Sequence, residues 1–224
     1  MRSIPKPSLA RLPLYYRCLM EALRQNITYL SSSELGERCG VPAVQVRKDL
    51  SYLSQKGRSG VGYNVADLVA HLEAYLGLAN EKDAALVGVG SLGRALALYP
   101  GFGSYGLQIV TLFDNDPLKV GSEVGGRTVF SVDRLTNLVR RLGIRIGIIT
   151  TPAAVAQAVA EEMVAGDIKA IWNFAPVLLD VPDDIFVKQE DLAASLAVLS
   201  HHIRQLKVVS EHDEIEVTAS NACG

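Results

Sequence analysis

Three glycines and one aspartate have the spacing of a dinucleotide-binding site. Gly88, Gly90 and Gly93 form a G-x-G-x-x-G motif at the end of the apolar stretch 84–88, and Asp114 ends the next apolar stretch, twenty-one residues after Gly93. In this motif the glycines allow a tight turn, close approach to a pyrophosphate and close helix packing. The other residues predicted to bind the dinucleotide through this loop are Val89, Ser91 and Leu92.

Asp114 also indicates which dinucleotide would bind. A carboxylate at this position accepts hydrogen bonds from the adenosine ribose and disfavours a 2′-phosphate. No arginine follows in the segment "DNDP". The pattern therefore predicts NAD+/NADH rather than the phosphorylated cofactor.

Residues for hydride-transfer chemistry are harder to find. A dehydrogenase needs a proton donor or acceptor beside its substrate. The one Y-x-x-x-K spacing, Tyr52 with Lys56, precedes the glycine loop, and only about fifty residues follow the last predicted strand, too few for a separate substrate domain. Binding without turnover is favoured, while a small NAD-dependent oxidoreductase and an NAD(H)-sensing scaffold that does not bind DNA stay open as alternatives.

A second candidate site lies on a predicted helix near the N-terminus. In "AVQVRKDLSYLSQ", residues 43–55, the apolar positions share one face and the opposite face is polar and basic. Such a face suits the major groove of DNA, and the glycine-rich stretch "KGRSGVGY" that follows resembles a basic wing. The residues predicted to contact DNA are Val44, Gln45, Arg47, Lys48, Ser51, Tyr52, Arg58 and Tyr63.

The distribution of charge agrees with this assignment. Residues 1–63 hold ten Lys or Arg against four Asp or Glu, whereas the whole chain of 224 residues has a net charge of −2. A basic segment attracts phosphate groups.

Cys18, Cys39 and Cys223 lack metal-binding or C-x-x-C spacing, so we expect free thiols, no metal and no disulfide framework. We find no membrane span or signal peptide, and we expect a cytoplasmic protein.

The predicted elements divide the chain into domains. Pro13 could begin a first helix, Ser31 and Glu34 form a capping box before a short helix that ends at Gly40, and Pro42 opens the helix described above. With the wing and a further helix at 64–78, these elements predict a winged helix-turn-helix domain over residues 1–80.

From residue 81 the pattern alternates between strands and helices. Strands are expected at 84–88, 107–113, 127–130, 145–150 and 169–173, with helices at 91–99, 131–142 and 152–165. This rhythm predicts an α/β fold with a Rossmann-like doubly wound parallel sheet over residues 81–189. A dimerisation helix is expected at 190–207, since Leu192, Leu196, Leu199, Ile203 and Leu206 form a regular apolar seam, and an acidic tail covers 208–224.

Several motifs together resemble one known family. "LPLYYRCL", "SSSELGERCGVPAVQVRKDLSYL", "GVGYNV", "GVGSLGRAL", "YPGF", "FDNDP" and "NFAP" occur in this order between about Ile4 and Leu206. They resemble the Rex family of bacterial redox-sensing transcriptional repressors. The resemblance implies a homodimer joined by swapped C-terminal helices, which binds a palindromic operator and leaves it when NADH occupies the Rossmann domain.

The resemblance also assigns residues that spacing alone does not. It implies that Tyr99 and the partner's copy of Asp191 lie near the nicotinamide, and that Thr151 and Pro152 line the cofactor pocket. It further implies that Arg17, Tyr99 and Asp191 form a switch in which Arg17 is the ion partner linking the two domains.

Overall fold

The structure, a computed structural model, describes residues 4–55, 57–78 and 82–191, together with residues 193, 196, 200 and 203. The chain forms two compact units. The first unit contains residues 1–81 and the segment 101–106, and the second contains residues 82–100 and 107–224. The segment 101–106 lies within the predicted Rossmann domain in sequence but packs as part of the first unit.

The first unit is helical with one small antiparallel sheet. Its core joins residues of all four helices, including Leu12, Leu35, Leu50 and Leu72, none of which is exposed. The elements in chain order are α1 (Lys6–Arg24), β1 (Tyr29–Leu30), α2 (Ser32–Cys39), α3 (Ala43–Tyr52), β2 (Tyr63–Asn64) and α4 (Val65–Leu76).

Helix α1 begins earlier than Pro13 predicts. It starts at Lys6, and Pro13 lies inside the helix rather than at its first turn. A proline in a helix interior removes one backbone hydrogen bond and costs about 3 kcal/mol. Burial of an apolar face on both sides of the proline, from Leu12 to Leu19, offsets this cost. The prediction of a helix start at Pro13 was therefore wrong because tertiary packing overrides the local preference.

Helices α2 and α3 are joined by a tight turn. The Ser31 hydroxyl accepts a hydrogen bond from the Glu34 N–H and the Glu34 carboxylate accepts one from the Ser31 N–H, so the predicted capping box is confirmed. Gly40 ends α2 in the left-handed conformation at φ 66°. A Cβ atom on Gly36 would collide with the Val41 carbonyl oxygen. The turn between the two helices is thus closely packed. Helix α3 itself ends at Tyr52 instead of continuing to residue 55.

The second unit is built on a seven-stranded sheet. The strand order is β5-β6-β4-β3-β7-β8-β9, and every pairing is parallel except that of β5 with β6. The strands are β3 (Lys82–Val87), β4 (Leu107–Asp114), β5 (Glu123–Val124), β6 (Arg127–Ser131), β7 (Ile146–Ile149), β8 (Ala170–Asn173) and β9 (Phe186–Gln189).

The helices of this unit cover the sheet as a doubly wound fold requires. They are α5 (Ser91–Leu98), α6 (Leu135–Leu142) and α7 (Ala153–Ala165). Because β3 is flanked by β4 on one side and β7 on the other, the strand order reverses beside β3, and ligands of such sheets bind at this reversal. The predicted Rossmann-like architecture is confirmed. The edge strands β5 and β9 were not predicted.

The predicted dimerisation helix falls mostly outside the described residues. Leu192, Leu199 and Leu206 are among the positions that are not described, as is the whole of 208–224. Leu196 and Ile203 are in helical conformation, with 64% and 57% of their surfaces exposed. The exchange of this helix between two chains stays a prediction.

Candidate functional site

The glycine loop connects β3 to α5 at the carboxyl edge of the sheet. Gly88 has φ of 99°, in the left-handed region that favours glycine, and its N–H donates to the Phe113 carbonyl oxygen at 2.8 Å. The Thr150 hydroxyl, at the end of the neighbouring β7, donates to the Gly88 carbonyl oxygen at 2.7 Å. A Cβ atom on Gly88 would approach the Thr150 carbonyl oxygen to 2.8 Å. The turn is therefore fixed from both neighbouring strands.

Gly90 and Gly93 differ in what surrounds them. A Cβ atom on Gly93 would collide with the Gly88 carbonyl oxygen, so α5 can lie this close to the loop only with glycine there. A Cβ atom on Gly90 would have no described atom within 4 Å. Gly90 precedes the first turn of α5, whose N-terminus suits an anion. The open space at Gly90 is where the backbone can approach a phosphate.

Asp114 ends β4 and is held by the backbone of the loop. Its carboxylate accepts hydrogen bonds from the Val89 N–H at 2.7 Å, the Asp116 N–H at 2.9 Å and the Lys119 ammonium at 3.1 Å. Burial alone raises the pKa of Asp114, but these three donors together lower it below its ordinary value. The carboxylate is therefore ionised and already oriented at the edge of the sheet.

A cavity of about 760 Å³ opens beside these residues. Its wall includes the hydroxyl-bearing Thr151, whose Oγ1 is buried and has no hydrogen-bond partner in the described part of the chain. A buried polar atom without a partner is costly unless a ligand or water satisfies it. The open space at Gly90, the ionised Asp114 and this hydroxyl fit a bound dinucleotide.

The structure places the predicted cofactor residues in three groups. Six of them line the cavity: Gly88, Gly90, Leu92, Asp114, Thr151 and Pro152. Three others belong to the loop or to the start of α5 without lining the cavity wall: Val89, Ser91 and Gly93.

The remaining two do not line the cavity either. Tyr99 follows α5 and is 57% exposed, whereas Asp191 is exposed and its carboxylate accepts a hydrogen bond from the Ala193 N–H at 2.9 Å. Arg17, the third predicted switch residue, is exposed on α1. The roles of these three residues stay predictions.

Several cavity residues were missed by sequence reasoning. Lys119 pairs with Asp114, and Glu162 accepts a hydrogen bond from the Thr136 hydroxyl at 2.9 Å. Phe174 directly follows β8, so the rule that ligands bind at the carboxyl ends of parallel strands could have found it. The other missed residues of the wall are Val87, Asn115, Asp116, Val132, Thr150, Val155, Ala158 and Val159.

The first unit presents a separate groove of about 880 Å³. It lies between the start of α2, the exposed face of α3 and the glycine-rich hairpin that follows α3. Arg47 of α3 donates to the Ser32 hydroxyl of α2 at 2.8 Å. The groove is also lined by Ser51, Arg58 and Tyr63, so it brings together four of the predicted DNA-contacting residues.

The other predicted contacts differ in exposure. Val44 is 68% exposed and Lys48 is exposed, as a contact with DNA requires. Tyr52 is partly buried and packs against the core of the first unit. Gln45 is also partly buried and donates to the carboxylate of Asp49, one turn further along α3, at 2.7 Å. Gln45 and Tyr52 are therefore already engaged in contacts that position α3.

Asp49 is a fully buried carboxylate at the back of α3 that sequence reasoning missed. It accepts hydrogen bonds from Arg11 Nε at 2.7 Å, Arg11 Nη2 at 2.9 Å and the Tyr15 hydroxyl at 2.7 Å, besides the one from Gln45. Burial raises the pKa of Asp49, but the bonds from Arg11, Tyr15 and Gln45 lower it to about 2. The carboxylate therefore stays ionised and fastens α3 to α1.

The hairpin after α3 has the form of a short wing. Arg58 and Gly62 pair through two backbone hydrogen bonds, of 2.8 and 2.9 Å, and Arg58 is exposed. Gly62 has φ of 98°, and a Cβ atom there would collide with the Leu30 carbonyl oxygen. Burial raises the pKa of Tyr63, while the nearby Arg47 opposes this shift. The wing is therefore docked against β1 and α3.

Neither membrane insertion nor metal binding is indicated by the described residues. Within them, no helix combines the length and hydropathy needed to cross a bilayer. The same residues contain no group of three or more His, Cys, Asp or Glu side chains that could hold a metal ion.

Both parts of the chain are similar to known protein families. A family model described as "CoA binding domain" matches residues 79–177, and one described as "Putative DNA-binding protein N-terminus" matches residues 3–51. A redox-sensing transcriptional repressor Rex of Carboxydothermus hydrogenoformans is 44% identical over 90% of this chain and 97% of its own length. The chain belongs to the Rex family. A second Rex repressor, from Roseiflexus sp., is 41% identical over 91% of this chain and 92% of its own length.

Solved structures of a Rex-family repressor, RSP, show the same fold. RSP in complex with beta-NAD+ and operator DNA is 34% identical, with a TM-score of 0.87 over 94% of this chain and 97% of RSP. RSP in complex with beta-NADH has a TM-score of 0.84 over 94% of this chain and 99% of RSP. Members of the Rex family are transcriptional repressors and not enzymes, so the oxidoreductase alternative is not favoured.

Proposed function

We propose that this chain represses transcription by binding operator DNA through its first unit and leaves the DNA when NADH occupies its second unit. The observation that carries the proposal is the cavity beside Gly90 and Asp114, in a chain whose other unit carries the groove between α2, α3 and the wing. The solved complexes of RSP, one with NAD+ and operator DNA and one with NADH, support it. The protein would act in the cytoplasm, where it meets both the chromosome and the nicotinamide pool.

The DNA-binding step uses the exposed face of α3 and the wing. Arg47 and Lys48 have the cationic side chains that bind guanine or phosphate, and Val44 has the apolar surface that contacts a thymine methyl group. Arg58 at the wing would bind backbone or minor groove. Asp49 does not face DNA, since it is fully buried, but it fixes the orientation in which α3 presents these side chains.

The sensing step requires no bond to be made or broken. A nicotinamide ring is cationic when oxidised and neutral when reduced, so an apolar wall disfavours the oxidised ring. The cavity wall has several apolar residues, Val132, Val155, Val159 and Phe174 among them. A ligand shifts a conformational equilibrium only through different affinities for the two states. NADH would therefore release the repressor if it binds the DNA-free form more tightly than the DNA-bound form.

Two copies of the chain would form the active repressor. The exposed apolar side chains of Leu196 and Ile203, seven residues apart, support a helix that pairs with a second copy. A two-fold dimer reads a palindromic operator. In this arrangement Asp191, which precedes the helix, would act with Tyr99 and Arg17 as the switch.

The deciding experiment is a titration of NADH into a preformed complex with a palindromic operator fragment at fixed salt, followed by fluorescence anisotropy. We expect NADH to release the DNA, and NAD+ to compete with NADH. Asp191→Ala is expected to fold normally and to respond less to NADH, while Asp183→Ala, at an exposed loop position, is expected to respond as the unaltered protein does. DNA affinity that does not change at saturating NADH would contradict the proposed function.

A further inference from the structure

Two cysteines that are distant in sequence meet inside the first unit. Cys18 lies on α1 and Cys39 is the last residue of α2. The Cys18 thiol donates to the carbonyl oxygen of Arg38, the residue before Cys39, at 3.5 Å. The Cys18 thiol is also close enough to Cys39 to contribute to the raised pKa of the Cys39 thiol. The packing of α1 on α2 therefore brings the Cys18 thiol to the end of α2 that carries Cys39.

Both thiols of this pair are partly accessible to a small oxidant. Both cysteines are free thiols, and both are only partly buried. Burial raises the pKa of Cys39, and the neighbouring Arg17 and Arg38 oppose that shift without cancelling it. Cys39 is therefore held as a thiol, so the first reaction with a peroxide is assigned to Cys18.

We propose that Cys18 and Cys39 are a modification site: a peroxide converts them into a reversible intramolecular disulfide, and this bond weakens binding to operator DNA. The Cys18 thiol loses its proton to water, and the thiolate attacks one oxygen of hydrogen peroxide. The O–O bond breaks, the leaving hydroxide takes up the proton released by Cys18 and departs as water, and Cys18 becomes a sulfenic acid.

The second step closes the bond. The sulfur of Cys39 attacks the sulfur of Cys18, and the hydroxyl group of the sulfenic acid leaves as water with the Cys39 proton. Two thiols and one hydrogen peroxide thus give one disulfide and two water molecules, and the two electrons lost by the sulfur atoms are gained by the peroxide. A dithiol reductant reverses the change by thiol–disulfide exchange.

The bond would act on DNA binding through the turn that follows Cys39. A disulfide is about 2.05 Å long, shorter than any contact between two unbonded sulfur atoms, so its formation draws α2 towards α1. The turn from Gly40 to Pro42 cannot absorb this movement, because Gly36 packs so closely on the Val41 carbonyl oxygen that a Cβ atom would not fit between them. A shift of the end of α2 must therefore displace α3, whose exposed face carries the DNA-contacting side chains. Disulfides in reducing compartments are usually transient or redox-sensing, which agrees with a regulatory bond.

The test uses the full chain in reduced and peroxide-treated forms. The inference rests on the proposed function, because its second readout is operator binding. Peptide mapping by mass spectrometry measures the Cys18–Cys39 bond, and anisotropy measures operator affinity at fixed salt without NADH. We expect oxidation to join the two peptides and to weaken binding about tenfold or more, as the loss of one good base contact would, and dithiothreitol to restore it.

Three serine variants make the result specific. C18S and C39S should bind the operator when reduced and should not respond to peroxide, and either one suffices if the other fails to fold. C223S keeps the pair intact and should respond as the unaltered chain does.

The possible failures are distinguishable. A reduced protein that does not bind the operator would contradict the proposed function, while the peptide map would still test the bond. Absence of the Cys18–Cys39 peptide after oxidation would overturn the inference. Unchanged operator affinity of the crosslinked protein would overturn it as well.

Discussion

The two units each contain a buried, ionised aspartate, and the two are held in different ways. Asp49 is fully buried and receives hydrogen bonds from the side chains of Arg11, Tyr15 and Gln45. Asp114 is 5% exposed, receives two of its three bonds from backbone N–H groups and lines the cavity. A carboxylate enclosed by side chains fastens two helices together, whereas a carboxylate held by a loop backbone can still receive a ligand.

The largest effect on stability is expected from removing the carboxylate of Asp49. Asp49→Ala leaves the Arg11 guanidinium and the Tyr15 hydroxyl without their partner and should destabilise the first unit by about 3 kcal/mol. Denaturant unfolding followed by circular dichroism measures this change. Trp172, the only tryptophan, lies on β8, so its fluorescence should show the second unit unfolding as before. Asp183→Ala is the matched control and should change stability by less than about 0.5 kcal/mol.

The stability that Asp49 contributes should decrease at low pH. Because the folded pKa of Asp49 is about 2, below its ordinary value of 3.8, the stabilisation is complete above 3.8 and is lost as the pH falls towards 2. The unaltered chain should therefore lose more stability in this range than Asp49→Ala does. If the free energy of unfolding depended on pH equally in the two proteins, the hydrogen-bond network around Asp49 would be contradicted.

Gly93→Ala is expected to have the next largest effect. Its methyl group would collide with the Gly88 carbonyl oxygen, which forces α5 away from the loop and costs about 2 kcal/mol. The unfolding midpoint measured by Trp172 fluorescence should fall. A midpoint equal to that of the unaltered chain would show that α5 does not need to lie this close to β3.

Gly90→Ala separates binding from folding. Its methyl group meets no described atom within 4 Å, so stability should be unchanged, but it occupies the space where a phosphate would lie. NADH affinity, measured by calorimetry, should fall about tenfold, equivalent to ~1.4 kcal/mol. Gly103→Ala, also in open space and away from the cavity, is the control and should bind NADH normally. Unchanged affinity in Gly90→Ala would place the phosphates elsewhere.

The smallest effect is expected at Lys119. Its side chain is 37% exposed, so the ion pair with Asp114 is screened and is worth ~0.5 kcal/mol. Lys119→Met should weaken NADH binding about twofold at low salt, and the difference should shrink at high salt. Lys188→Met removes a surface ion pair with Glu190 instead and should leave binding unchanged. A loss much larger than twofold would mean that Lys119 contacts the cofactor directly.

Sequence analysis predicted features that depend on local spacing. The glycine loop, the position of Asp114 at a strand end and the Ser31 capping box each involve residues whose separation along the chain is set by one turn or one β-α-β unit. Pro13 was misplaced because burial of α1, a tertiary effect, outweighs its local preference. The edge strands escaped prediction because β5 has only two residues and β9 has only four, none of them buried.

The contacts that the sequence could not predict join residues far apart. Arg11 and Asp49 are separated by 38 positions. Cys18 and Cys39 belong to different helices, and no pattern in the chain indicates that α1 packs on α2 in the register that joins them. The aspartate that binds side chains and the cysteine pair are visible only after the helices of the first unit have been assembled.

The ring of Tyr105 packs against Tyr16 with 5.9 Å between centroids, although the segment 101–106 that carries it is flanked on both sides by chain of the other compact unit. The helical unit is consequently not a continuous stretch of polypeptide. A fragment cut after residue 81 would lack this tyrosine and leave one side of Tyr16 uncovered, so the DNA-reading portion cannot be isolated intact by truncation alone.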